Sequence, residues 1–359
     1  MTATINPQVL LKELKKMSLV VRKNNIIPIT GTVLFSFENN KLTLNGTDTE
    51  TIYIIEIDCV SNENFSFCID YFDIVDLCST CIDDLKITRK EKQILISSGV
   101  SKFKLSVIGE YSEFLNTIDT EFETELNVDG DFFYHLNNAN SCRSRDDIKP
   151  FLNMVAIIVN NDYYEVVGCD GFIMYKKKFN SKNEKMFSVM VCDKFVNLTK
   201  NYQESILRFS KKRVTATYKN EIIVSRLSES KYANISSIIP KDIEYNISIS
   251  KEVLRKSIGI VSTAASGKEK QFSLFFKPNE LKLVSRDIDL NKETETTIEV
   301  KNKVSIESIN LSASQLLHTT SLLDEGEVNI SFSNPKKSIF LNPSNDENVL
   351  ILIQPLFQI

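Results

Sequence analysis

Residues 41–57, "KLTLNGTDTETIYIIEI", run as an alternating strand into a break centred on Asp48 and leave it as a second strand. The passage recurs as "YYEVVGCDGFIMYKKKF" (163–179) and as "ELKLVSRDIDLNKETETTIEV" (280–300). In each, apolar and polar residues alternate with the period of a strand, and the short Asp-bearing segment predicts the turn between two paired strands. Asp48, Asp170 and Asp287 are spaced by about 120 residues, well beyond the roughly 20–50 residues of a solenoid or propeller repeat, so each copy is large enough to hold its own core.

The elements around the turn recur as well. A helical segment opens each copy, at 6–24, 129–145 and 250–266, with Ser250 expected to cap the third. In the first copy "TVLFSFENNKL" (32–42) supplies a partner strand, with Asn39-Asn40 as its hairpin turn. A shorter helix follows at 70–81, 192–203 and 312–324, and more alternating strands close each copy. The predicted class is α+β, with three repeated domains at 1–122, 123–242 and 243–359, each made of two helices packed on largely antiparallel sheet.

At 359 residues with 25% charged side chains, the chain reads as a folded multidomain protein. A net charge of −4 argues against binding nucleic acid over the whole surface and leaves room for a local basic face. No window approaches the roughly 18 apolar residues of a membrane span, and the opening "MTATINPQVLLKELKK" carries lysines inside its apolar run, so a cytoplasmic location is expected. Seven scattered cysteines give no disulfide framework and fit a reducing compartment; Cys78 and Cys81 form a lone CxxC, read here as structural thiols. His135 and His318 stand far apart, and there is no phosphate-cradling glycine loop, GxSxG or metal-spaced ligand set. Asp83-Asp84 and Asp146-Asp147 read as turn residues and helix-end charges. No catalytic centre, cofactor or metal is predicted.

The first helix carries the most informative chemistry. At helical spacing Lys12, Lys15, Lys16 and Lys23 gather on one side, while Leu10, Leu14, Met17 and Val21 gather on the other. The third copy repeats this weakly with Lys251 and Arg255 one turn apart, and the second ends its helix with Arg143, Arg145 and Lys149. Cations at matching places on three related helices suit a surface that tracks a phosphate backbone without reading bases.

Over its whole length the chain resembles the bacterial sliding clamp family, the beta subunit of DNA polymerase III. The resemblance rests on "GTDTE" (46–50), "SSGVSKFKLSVIGEYSEFLN" (97–116), "DIKPFLNMV" (147–155) followed by "CDGF" (169–172), "KYANISSIIPK" (231–241) and the tail "VLILIQPLFQI", all in matching order. It implies two chains of three domains closing head to tail into a ring around duplex DNA, with helices toward the hole and basic side chains sliding on phosphates without sequence preference. It also implies a pocket for short apolar peptides of the polymerase and clamp loader, falling on Leu152, Cys169, Gly171, Phe172, Ile173, Met174, Ile238, Ser338, Leu352, Ile353, Gln354, Pro355 and Leu356. The DNA-facing set becomes Lys12, Lys15, Lys16, Arg22, Lys23, Asn24, Arg143, Arg145, Lys149, Phe151, Lys194, Lys200, Lys251 and Arg255. At the implied seam, Leu105 and Val107 lie on one face of an edge strand.

Several positions depart from the family pattern. Phe172-Ile173 replaces a His-Arg, "QPLFQI" replaces a Met-rich ending, Pro150 stands where an aromatic is expected, and Asn24 or Asn25 where an arginine is expected. A competing reading from a different class is a multidomain structural or assembly protein, such as a virion component, which would carry no basic lining.

Overall fold

The computed structural model describes residues 1–23, 26–108, 121–146, 148–235, 238–239, 243–267, 269–301 and 306–356. One order of elements is run through three times. The first repeat is β1 (Thr2–Ile5), α1 (Pro7–Lys16), β2 (Thr32–Glu38), β3 (Lys41–Thr47), β4 (Thr51–Asp58), the short β5 (Val60–Ser61), β6 (Phe65–Asp70), α2 (Tyr71–Thr80), β7 (Leu85–Lys90), β8 (Gln93–Ser98) and β9 (Ser101–Ser106). The second is β10 (Thr124–Asp129), α3 (Gly130–Ser141), β11 (Met154–Val159), β12 (Tyr163–Cys169), β13 (Ile173–Asn180), β14 (Phe187–Cys192), α4 (Asp193–Thr199), β15 (Glu204–Phe209), β16 (Arg213–Tyr218) and β17 (Glu221–Arg226). The third is β18 (Tyr245–Ser250), α5 (Lys251–Val261), β19 (Gln271–Lys277), β20 (Glu280–Asp287), β21 (Lys292–Glu299), β22 (Ile306–Ser312), α6 (Ala313–Ser321), β23 (Glu327–Phe332), β24 (Ile339–Pro343) and β25 (Val349–Ile353).

The chain separates into two compact units, and the second repeat is divided between them. Residues Met1–Tyr134 and Val191–Glu229 hold two sheets, ordered β5-β1-β7-β8-β9 and β10-β15-β16-β17-β4-β3-β2-β6. The other unit, His135–Met190 and Ser230–Ile359, is built on sheets ordered β14-β11-β12-β13-β25-β24-β23-β18 and β21-β20-β19-β22. Each eight-stranded sheet joins two repeats, by β17 against β4 in the first unit and by β25 against β13 in the second, both antiparallel.

In the first unit the apolar stripe of α1 lies where its spacing puts it, with Leu10, Leu14, Met17 and Val21 all buried. Asn6 caps the helix by accepting from the backbone N–H of Gln8 and Val9, and the helix is shorter than expected because Met17–Leu19 tightens into a 3-10 turn. The Tyr71 hydroxyl, at the start of α2, donates to the Leu14 carbonyl and ties the two helices together. Asn39 and Asn40 both take left-handed backbone angles, as a tight two-residue hairpin requires. Cys78 and Cys81 are buried free thiols, and burial, then the neighbouring Cys81, pushes Cys78 up to about 12. In the second unit Ser250 precedes α5, but its hydroxyl makes no capping hydrogen bond, contrary to the expectation above.

The three Asp turns are stapled by their own carboxylates. Asp48 accepts from the N–H of Glu50 and Thr51, Asp170 from Phe172 and Ile173, and Asp287 from Leu290. The third turn is longer: Asp48 N–H reaches the Thr51 carbonyl and Asp170 N–H the Ile173 carbonyl, whereas Asp287 stands opposite Lys292. Two residues before Asp48 and Asp170 stand Gly46 and Gly168, each pressed against the first helical segment of its repeat. A Cβ on Gly46 would press on Val21 Cγ2 and Met17 Cε, at 2.7 and 2.8 Å, whereas one on Gly168 would overlap the Ala139 carbonyl oxygen of α3. Backbone cannot yield as a flexible side-chain end does. Gly168→Ala is therefore expected to lower stability by about 2 kcal/mol or more, and Gly46→Ala by distinctly less. Urea denaturation of the two variants side by side checks this, and equal losses would refute it.

Candidate partner pocket and cationic surface

In the unit formed by His135–Met190 and Ser230–Ile359, one cross-strand row runs Cys169, Met174, Leu352, Phe340 over β12, β13, β25 and β24. Successive side chains alternate between faces, so this row shares its face with Val167 and Ala156. Leu152, Met190 and Ile235 complete a buried apolar cluster, and Phe151, Met154, Ile158, Tyr232, Ile239 and Leu350 pack against it half-exposed. The row crosses the line where the second repeat meets the third.

Four of the sequence-predicted pocket residues, Leu152, Cys169, Met174 and Leu352, belong to this cluster. Beside them Gly171 holds φ of 98°, a left-handed geometry that favours glycine, and Phe172 stands 57% exposed at the turn. Ile238 is also exposed. The Ser338 hydroxyl donates to Gln354 Oε1 at 2.8 Å, and Gln354 N–H donates to the Phe172 carbonyl at 2.8 Å, so the tail is pinned to the turn. Pro355 is buried, and Leu356 N–H donates to the Asn310 carbonyl. Ile173 and Ile353 oppose each other on the same two strands one residue out of step with Met174 and Leu352, which places them on the other face.

Sequence reasoning missed Ala156, Val167, Met190, Ile235, Phe340 and Tyr232 at this site. Alternation from Cys169 and Leu352 reaches Val167 and Leu350, but nothing local points to Met190 or Ile235, which arrive from other segments. Burial pushes the Tyr232 phenol well above its ordinary range, with Cys169 and then Cys142 adding to the effect. Burial likewise raises the Cys142 and Cys169 thiols, Cys142 to about 12.

The predicted DNA-facing residues separate into free and engaged cations. In the first unit Lys12, Lys15, Arg22, Lys23 and Lys200 are exposed. Lys16 lies 2.6 Å from Glu13 and 2.7 Å from Glu221; burial opposes its charge, but the two carboxylates outweigh that and hold the ammonium above its usual range. Lys194 pairs with Asp48, and burial, followed by the charge of Arg22, lowers it. In the second unit Arg145 and Lys149 are exposed, and Arg143 is bonded to Asn140, Asn153 and the Ser144 carbonyl. Lys251 is buried, donating to the Leu323 carbonyl and Glu325 at 2.7 Å each, and Arg255 donates to the Leu317 carbonyl and Thr320 of α6. Arg255 ties α5 to α6 and Lys251 ties it to the segment that follows α6, so both leave the exposed set. Phe151 packs against the apolar cluster. Asn24 lies outside the described residues.

Leu105 is half-buried on β9 opposite Ile94, and Val107 follows the strand, donating to the Lys92 carbonyl. His135 is buried with Nδ1 2.5 Å from the Tyr175 hydroxyl, and His318 Nε2 sits 3.2 Å from the Ser141 carbonyl, so both histidines bond within the fold. Among the described residues, no helix is long and apolar enough to cross a membrane.

Models of the DNA polymerase III beta subunit match this chain, the N-terminal domain over residues 1–116 and the C-terminal domain over 236–356. The chain is 22% identical to the beta sliding clamp of Haemophilus influenzae, covering 99% of this chain and 100% of that one, and 19% identical to that of Escherichia coli K12 over the same shares. Its fold superposes with a TM-score of 0.92 on a sliding clamp from Pseudomonas aeruginosa solved bound to griselimycin, at 18% identity and full coverage of both chains. A Caulobacter crescentus beta sliding clamp gives 0.92 at 19% identity, again with full coverage of both. The architecture is that of a clamp made of repeated two-helix, antiparallel-sheet elements. The chain belongs to the DNA polymerase III beta subunit family.

The engaged and free lysines are expected to behave differently. Lys251→Ala leaves the Leu323 carbonyl without its partner and should cost about 1–3 kcal/mol, whereas Lys12→Ala should change stability by no more than about 0.5 kcal/mol. Chemical denaturation compares them, and a neutral Lys251→Ala would remove its structural role.

Proposed function

We propose that this chain is a DNA polymerase processivity clamp: two copies close head to tail around duplex DNA and hold a polymerase by a short apolar peptide. One observation carries the ring. Within each unit the last strand of a repeat pairs with the strand leaving the Asp turn of the repeat before it, as β17 with β4 and β25 with β13. The same rule leaves two strands over, the last strand of the first repeat, β9, and the outgoing strand of the third, β21, each at the edge of its sheet among the described residues. A second copy supplies what each edge lacks, and pairing them removes two open edges that otherwise invite aggregation. In this reading the three repeats are three domains, at 1–122, 123–242 and 243–359.

The clamp acts by enclosure and not by catalysis. Exposed Lys12, Lys15, Arg22, Lys23, Lys200, Arg145 and Lys149 supply weak, sequence-blind contacts to phosphates, which is what sliding requires. The partner peptide lies on the row of Cys169, Met174, Leu352 and Phe340, with Phe172 and Ile238 on the rim; apolar walls with a few backbone groups suit such an anchor.

The ring reading is tested by retention on DNA. Clamp loaded on a covalently closed circle should survive about 0.5 M salt and leave when the circle is cut, whereas contact with an open fragment should fall steeply with salt. Equal loss from both would remove enclosure. For the pocket, Phe172→Asp alters an exposed side chain and should weaken a polymerase-derived peptide about 30-fold without changing the mass of the assembly. Undiminished peptide binding would move the site elsewhere.

A further inference from the structure

We propose that the open edge of β18 is a second docking site, at which a partner protein adds an extended segment of alternating apolar and basic residues as one more strand. The site is carried by the third repeat alone and shares no residue with the apolar row of the partner pocket. It stands independently of the ring.

The first repeat shows what such an edge takes. There β1 leads into α1 and pairs on one side with β7, Ile5 opposite Leu85. On its other side it carries β5, with Val60 opposite Thr4 and Ser61 opposite Ala3. Asn62 N–H donates to the Thr2 carbonyl at 3.2 Å, so the backbone groups of Thr2 and Thr4 are the ones that face this outer strand.

In the third repeat β18 stands in the same place ahead of α5, with Ser250 where Asn6 stands, and pairs on one side with β23, Ile249 opposite Val328. Lys251 N–H donates to the Gly326 carbonyl and continues this register, so Ile249 and Ile247 are the residues bonded to β23. The N–H and C=O groups of Ser248 and Asn246, in the places of Thr4 and Thr2, turn the other way. Among the described residues β18 has no strand on that side. Val300 holds the place of Cys59, since each donates its N–H to an asparagine carbonyl in the preceding hairpin turn, Asn279 and Asn40. One residue on, Val60 pairs with Thr4, whereas Lys301 belongs to no strand.

Where the first repeat has β5, the third has a groove of about 390 Å³ between β18 and the end of β21. Ile249, Ile298 and Val300 line it as buried apolar residues, and Val253 stands beside them 43% exposed. Glu299 and Glu327 line it as exposed carboxylates, against the one lining cation, Lys301. The Ser248 hydroxyl donates to Glu327 Oε2 at 2.7 Å, so this carboxylate lies on the face of Ser248, while Ile249 turns to the buried face. A strand laid along β18 alternates in the same way. Its apolar side chains fall on the side of Ile249 and Val253, and its basic side chains fall on the side of Ser248, toward the carboxylates. The open edge supplies backbone hydrogen bonds to any sequence, and the two faces of the groove select among sequences.

The probe is a short labelled peptide of alternating valine and lysine, titrated against the full chain by fluorescence anisotropy and followed by residue-resolved amide exchange. Binding should slow exchange at the Asn246 and Ser248 amides and leave Ile247 and Ile249, already bonded to β23, unchanged. The same peptide methylated on its backbone nitrogens should bind at least about 10-fold more weakly, because it cannot complete the strand pairing. The unmethylated peptide should lose at least about 10-fold on E299K/E327K, and a peptide with glutamate in place of lysine should bind that variant better than it binds the parent. Ser248→Pro removes an N–H that faces the open edge and none that bonds within the sheet, and should weaken the peptide to a similar degree. A parent chain that does not bind the valine–lysine peptide overturns the site. Equal binding of the methylated peptide overturns strand addition, and undiminished binding to E299K/E327K removes the groove as the place. Should Ser248→Pro fail to fold, the methylated peptide still decides the matter on the unaltered chain. None of these results depends on the mass of the assembly or on retention on DNA, so the clamp reading stands or falls separately.

Discussion

The antiparallel pairing of the last strand of one repeat with the strand leaving the Asp turn of the preceding repeat is the constraint on which this molecule depends. It converts separate hairpins into eight-stranded sheets, through β17 with β4 and β25 with β13. The Asp carboxylate fixes where the outgoing strand begins, because it holds the turn by accepting from the N–H groups that follow it. Register follows from the turn, and a slip of one residue would send every side chain of the strand to the wrong face.

That constraint also positions the proposed partner site. Met174 and Leu352 meet only because β13 and β25 are paired, and they extend a row to Cys169 and Phe340 on either side. The rim follows from the same turn: Phe172 is presented by the residues that Asp170 staples, and the tail is fastened there through Gln354. Packing on the opposite face limits what the turn can tolerate, since Gly168 passes too close to α3 for any side chain. Stability and the proposed recognition thus draw on one short hairpin.

The cationic surface is less orderly than its sequence spacing suggests. Lys16 lies on the expected side of α1, yet two carboxylates hold it, one of them Glu221 from a strand far along the chain. Lys251 and Arg255 are one turn apart as expected, yet Arg255 is engaged by α6 and Lys251 by the segment that follows it. Lys12 and Lys15 remain exposed. A lysine on a helix face is available to phosphate only when no nearby carbonyl or carboxylate has already claimed it.

The sequence by itself determined the repeat, the element order, the apolar stripe of α1 and the Asp turns, because each is a short-range pattern whose period or turn chemistry acts within a few residues. The resemblance to the clamp family was likewise legible, through motifs in matching order. Tertiary structure decided which of the predicted pocket residues share a face, bringing in Met190 and Ile235 and sending Ile173 and Ile353 to the other side. It also decided which cations are free. Those outcomes depend on strand register and on partners remote along the chain, and a local pattern of residues carries no information about what a distant segment will place opposite it.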